Sequence, residues 1–137
     1  MKRKIAILYH ENHRGRPLNY VINHYAEFWR AGGLEVVSLF GVSEFVPADL
    51  VIVHVDLSVV PDEYLDFANR CYPIVLNGEV KDIRKSTFSQ LLLKPGDPCD
   101  GKVIVKSNYN YAAEPERELG VPLDPRGVSS SFFRIAP

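Results

Sequence analysis

A chain of 137 residues, 46% of them hydrophobic, is the size of one domain and has enough apolar side chains for a proper core. A formal net charge of -1 with 24% charged residues removes the electrostatic reason to expect nucleic acid or an anionic membrane as a partner. No apolar run is long enough to span a bilayer, residues 5–9 are too short for a signal-peptide core, and two cysteines (Cys71 and Cys99) make neither a zinc motif nor a disulfide framework, so the expected location is the cytoplasm.

In chain order, Lys4, Ile5, Ala6, Ile7, Leu8 and Tyr9 read as a strand buried on both faces. Residues 10–17 are polar and contain Gly15 and Pro17, which marks a loop. Leu18, Val21, Ile22, Tyr25, Phe28 and Trp29 then recur at helical spacing and predict one buried stripe, with Trp29 in the core. Gly32 and Gly33 stop that helix, and the valine-rich residues 34–40 follow as a second strand. Residues 50–55 predict a third strand. Pro61, Asp62 and Glu63 suit a helix start, with Tyr64, Leu65, Phe67 and Ala68 on its buried side. Residues 72–77 predict a fourth strand, 82–92 another helix, 94–98 a turn and 102–106 a fifth strand. After Ser107 the periodicity dissolves, and prolines at 115, 122, 125 and 137 suggest a mixture of loop and docked segment. The adjacent Phe132 and Phe133 nevertheless require something to pack against.

Alternation of short apolar strands with helices implies right-handed crossovers, hence an α/β fold. The expectation is a small parallel sheet with helices on both faces, a Rossmann-like three-layer domain. Its parallel centre should contain the strands near Lys4, Leu34, Leu50 and Ile74.

Ligands of open parallel sheets bind outside the carboxyl ends of the strands. That rule selects His10, Arg14, His54, Asp56 and Asn77 as substrate-binding candidates, and it brings His10, His13, His54 and Asp56 to one rim if the first and third strands are neighbours. Imidazoles and a carboxylate there invite a metal, but histidines at strand ends more often bond to backbone, and no metal site is expected. The Arg14-Gly15-Arg16 loop before a helix could cradle an anion, although it lacks both the Gly-x-Gly-x-x-Gly and P-loop patterns. Glu114 and Glu116 read as a solvated acidic face.

The stretch Val75-Leu76-Asn77-Gly78, then Lys81-Asp82-Ile83-Arg84-Lys85-Ser86, Pro95-Gly96-Asp97 and Gly101-Lys102-Val103-Ile104-Val105-Lys106 resembles the opening of an ATP-grasp protein. The resemblance is close over residues 75–116 and loose elsewhere. It implies a Rossmann-like pre-ATP-grasp domain over 1–93, and over 94–137 part of a nucleotide-binding lobe or an irregular tail. It implies that Lys106, closing a Val-Ile-Val-Lys strand, contacts nucleotide phosphates, and that ATP and magnesium serve the full-length relatives, which are ligase-like enzymes. Two departures stand out. Tyr111-Ala112-Ala113 replaces an expected glycine pair, and alanine restricts both φ and close backbone approach. The family's acidic magnesium ligands lie beyond Pro137, so the chain alone is expected to need no cofactor and to turn over no ATP.

The sequence thus supports the substrate-side domain of an ATP-grasp-like ligase, acting on a small molecule and completed by a C-terminal lobe. The alternative is a non-catalytic Rossmann-like module for ligand binding or homo-oligomerisation. A receiver-like domain would want paired acids after the first strand, and Glu11 stands there alone. A flavodoxin-like domain would want a Ser/Thr/Gly-rich first loop, which residues 10–17 do not provide.

Overall fold

The structure is a computed structural model that describes residues 3–94, 96–124 and 130–134. The chain divides into two compact units, residues 1–56 with 60–81, and residues 57–59 with 82–137. The division thus falls at 81/82, where the sequence reading set its boundary at 93/94.

The first unit contains β1 (Lys4–Tyr9), α1 (Val21–Ala31), β2 (Glu35–Phe40), β3 (Leu50–Val53), α2 (Asp62–Cys71) and β4 (Val75–Leu76). Its four strands lie in the order β2-β1-β3-β4, and each neighbouring pair is parallel. The unit is α/β, compatible with a small Rossmann-like domain. Strand β1 is central because its side chains are apolar on both faces: Ala6, Ile7, Leu8 and Tyr9 are all at most 1% exposed. Ile7 and Tyr9 pack with Ala26 of α1 and Val36 of β2. The alternate residues point to the other face, where the His10 ring stacks on Tyr64 of α2.

Helix α1 departs from the predicted single buried stripe. Ala26 is buried, and Ile22 and Trp29 pack against the core, but Val21, Tyr25 and Phe28 are 68%, 55% and 74% exposed. The apolar arc is wider than the strip of sheet the helix covers, and the helix is rotated so that its smallest member, Ala26, lies closest. Trp29 is therefore only half buried, stacked on Tyr25. At the far side, Arg30 donates to the carbonyl of Val36 at 3.2 Å.

Strand β4 is cut short by a turn that its residues require. Asn77 has φ 62° and donates its side-chain amide to the carbonyl of Val53 at 3.2 Å. A Cβ on Gly78 would lie 2.6 Å from Oδ1 of Asn69 and 2.7 Å from Cγ1 of Val75, so only glycine fits beside them.

The second unit holds α3 (Lys85–Phe88), β5 (Leu92–Leu93), β6 (Val103–Ser107), α4 (Glu114–Leu119) and β7 (Ser130–Arg134). Its strands form an antiparallel sheet in the order β5-β7-β6. Two expectations are corrected here. The helix expected over 82–92 is one turn, because Ile83, Phe88 and Leu91 stay 40%, 65% and 45% exposed and offer no buried face to extend it. The fifth strand, which the sequence reading assigned to no sheet, belongs to this antiparallel one. The segment after Ser107 is not irregular throughout: β7 runs between the other two strands, and Phe133 is 5% exposed, as its packing requirement implied.

Glu116 is also corrected, from a solvated face to 2% exposure. One of its carboxylate oxygens accepts the backbone N–H of Ser58 at 2.6 Å, while the Ser58 hydroxyl accepts the N–H of Asn110 at 2.8 Å. A buried carboxylate is tolerated when a backbone donor makes a charge-assisted bond to it. Beside it, Tyr111, Ala112 and Ala113 occupy the left-handed region, with φ of 44°, 54° and 65°. The backbone thus takes the conformation that glycine favours, without glycine. Arg117 helps hold it by donating to the carbonyl of Ala112.

Two outcomes follow from this packing. Trp29→Ala is expected to lower stability by about 2 kcal/mol, less than the roughly 3–5 of a fully buried ring, and urea unfolding measures it. Ala112→Gly is expected to raise stability by about 1 kcal/mol, because left-handed backbone costs a residue with a Cβ roughly 1–2 kcal/mol. An unchanged or lower urea midpoint would contradict that expectation.

Candidate functional site

In the first unit, the connection from β1 through α1 leads outward to β2, and the connection from β3 through α2 leads outward to β4 on the other side. The adjacent carboxyl ends of β1 and β3 are therefore the topological switch point of the sheet, where the two crossovers diverge and outside which ligands of open parallel sheets bind. Strand pairing places His54 there, its backbone N–H donating to the carbonyl of Leu8 at 2.8 Å.

A cluster of rings fills this position. The Tyr20 hydroxyl donates to Oδ2 of Asp56 at 3.0 Å and lies 2.8 Å from Nε2 of His13. A phenol has one proton; with that proton on Asp56, the contact to His13 uses the imidazole N–H as donor. The His54 ring meets Tyr20 edge to face at 4.8 Å between centroids and Tyr9 at 5.5 Å. Tyr9 is fully buried, and Asn23 of α1 donates to its hydroxyl at 3.0 Å. Burial raises the pKa of Tyr9. Burial lowers that of His54, a shift that Asp56 partly opposes and His13 reinforces. Nε2 of His54 is buried without a hydrogen-bond partner.

Of the five candidates from the sequence, the structure brings His54 and Asp56 together and sends the other three elsewhere. His10 faces the opposite side of the sheet, where its Nδ1 accepts the N–H of Asn12 at 3.2 Å and Tyr64 covers its ring. Burial lowers its pKa too. Arg14 turns to the end of β2, donating to the carbonyl of Phe40 at 3.2 Å, pairing with Glu44 at 3.4 Å and lying over the Phe40 ring. The amide of Asn77 is committed to its own turn. Tyr20 escaped the sequence reading because a tyrosine just ahead of an apolar helix counts as core. The available signal was that its hydroxyl, so close to the rim, needs a polar partner.

Lys106 lies on β6 in the second unit and lines a cleft of about 270 Å³ with Lys85, Arg134, Phe88, Ile104 and Phe133 among its walls. Among the described residues no carboxylate lines it. The local sequence sets up Lys85 with care. Asp82 accepts from the backbone and guanidinium of Arg84 and from Thr87, which organises the start of α3. The Arg84 hydrogen bond holds the Asp82 carboxyl below its usual range. Asn108, which is buried, accepts the N–H of Ser86 at 2.8 Å, and its carbonyl accepts that of Lys85. The Lys85 ammonium then donates to the carbonyl of Tyr109 at 3.0 Å. The ammonium of Lys106 has no hydrogen bond or ion pair among the described residues. Cations over apolar walls suit the phosphates and ring of a nucleotide, so the residues present fit that group. Magnesium is different: among the described residues no group of three or more His, Cys, Asp or Glu is placed to hold a metal ion.

No family model, curated protein or solved structure matches this chain. The ATP-grasp resemblance therefore rests on the residues quoted for it. Among the described residues, no helix is long and apolar enough to cross a membrane.

The two histidines with depressed pKa values give a pH dependence. Each is held below the ordinary 6.5, so the unfolded chain binds protons that the folded chain refuses. Their contribution to stability is complete above pH 6.5 and is lost as pH falls through the folded values. The urea midpoint should drop between pH 7 and pH 5, and His54→Gln should flatten that drop. The Asp82 contribution is lost lower, around and below its ordinary 3.8, and does not overlap this window.

Proposed function

We propose that this chain is the substrate-side and nucleotide-contacting part of an ATP-grasp-like ligase, with the switch-point rim of the first unit on the substrate side. The observation that carries the reading is the cleft where Lys85, Lys106 and Arg134 surround an apolar wall with no carboxylate among the described residues that line it. In this reading Lys106 and Lys85 contact phosphate oxygens as point charges, and Phe88, Ile104 and Phe133 cover the apolar part of the nucleotide. ATP when bound supplies the phosphoryl group. The chain's own residues bind and orient it, and Tyr109 keeps the Lys85 ammonium in place through its carbonyl. Two unbonded thiols, Cys71 and Cys99, agree with a reducing compartment and support placing the protein in the cytoplasm.

Isothermal titration of the chain with ATP tests this. Saturable binding is expected, weakened about tenfold by Lys106→Met, as for loss of about 1.4 kcal/mol of charge-assisted contact, and largely retained by Lys106→Arg. Absence of saturable binding to the wild-type chain, or equal affinity in Lys106→Met, would refute the reading.

A further inference from the structure

The rim at the ends of β1 and β3 brings the Asp56 carboxylate together with the rings of Tyr20 and His54. Asp56 uses one oxygen to accept from Tyr20 and forms no ion pair with a lysine or arginine among the described residues. Arg14, the basic residue that the sequence would send there, is held at the end of β2 by Phe40 and Glu44. Nε2 of His54 is buried and unpartnered, and with the ring proton on Nδ1 it presents a lone pair. The hydroxyl proton of Tyr20 is already given to Asp56. The His54 ring lies 4.8 Å from Tyr20 and 5.5 Å from Tyr9 between centroids, and of the two tyrosines only Tyr20 is not fully buried. An anion would meet an uncompensated carboxylate here. A cation would meet a counter-charge, the ring of Tyr20 and, in the His54 tautomer protonated on Nδ1, an unsatisfied acceptor.

We propose that this rim binds a ligand through a primary ammonium group, with Asp56 supplying the counter-charge, Nε2 of His54 accepting one N–H and the Tyr20 ring flanking the cation. The inference deepens the reading of this rim as the substrate side and names the chemistry of the substrate. It is independent of the nucleotide cleft. Burial of Nε2 means that the Tyr20 or His54 ring turns as the ligand enters, a side-chain adjustment common on binding. Tyr20 acts as a positioning residue: its hydroxyl holds Oδ2 of Asp56 at 3.0 Å and is itself 2.8 Å from Nε2 of His13.

The test is NMR titration of the full chain with n-butylammonium chloride, with n-butanol and sodium acetate as isosteric and anionic controls at matched ionic strength. Saturable shifts of the His54 and Tyr20 ring signals are expected with butylammonium alone, and Asp56→Asn should weaken them at least about tenfold. No saturable shift with butylammonium, equal saturation by butanol or acetate, or unchanged affinity in folded Asp56→Asn would each overturn the proposal. Should Asp56→Asn fail to fold, the wild-type comparison of charged and uncharged probes decides alone. Nucleotide binding, measured separately through Lys106, distinguishes failure here from failure of the ATP reading.

Discussion

Strand β1 has a hydrogen-bonded neighbour on each side and packed side chains above and below. From Ala6 to Tyr9 its backbone N–H and C=O groups must therefore be satisfied sideways, by β2 and by β3, because those residues are at most 1% exposed. That requirement fixes the parallel register of three strands at once. Lys4 pairs with Glu35 and Tyr9 with Phe40 on one side, while Ile5 pairs with Leu50 and Leu8 with Val53 on the other. A slip of one residue would turn Tyr9 to the α2 face and take its ring from His54, Phe40 and Tyr20. The rim chemistry is thus a consequence of backbone pairing several residues away.

The second unit depends on a different kind of pairing. Its sheet is joined by β7, which comes from the far end of the chain and lies between β5 and β6. Ile104 pairs with Phe133 and Leu92 with Phe133 from the other side, so one aromatic residue anchors both neighbours. The cleft at Lys106 exists because β7 supplies Phe133 and Arg134 to its wall. The geometry of the α3 start, clamped by Asn108 and Asp82, brings Lys85 to the same wall.

How much of this the sequence disclosed depended on the range of the interactions. Ile5 to Tyr9 and Leu50 to Val53 declared themselves because a strand buried on both faces is apolar at every position. The adjacency of His54 to the end of β1 was conditional on the first and third strands being neighbours, and the pairing of Leu8 with Val53 supplies that condition. The rotation of α1 was not readable, since Val21 and Ile22 are equally apolar and only packing decides which of them faces the sheet. His10 was assigned to the rim correctly as a chain position, but the twofold alternation of the strand sends its side chain to Tyr64. Strand β7 was illegible because its partners lie more than twenty residues away and five residues carry too little period to show. Buried Glu116 was missed for the same reason: its partner, the N–H of Ser58, is a backbone group that no side-chain pattern records.

Arg14 and Arg30 point to one more property of the parallel sheet. Within β2, the N–H and C=O groups of Glu35, Val37 and Leu39 face β1, which leaves those of Val36, Ser38 and Phe40 facing outward. An outward row of this kind is a template on which a foreign strand can grow. Two of its three carbonyls are already occupied, Val36 by the guanidinium of Arg30 and Phe40 by that of Arg14. An incoming chain would have to displace two hydrogen-bonded cations before it could add a strand. At the opposite border, β4 is only two residues long and ends in the crowded Asn77-Gly78 turn, which gives an intruder almost nothing to pair with. The sheet therefore resists edge-to-edge aggregation at both borders by different means, a charged cover on one and brevity on the other.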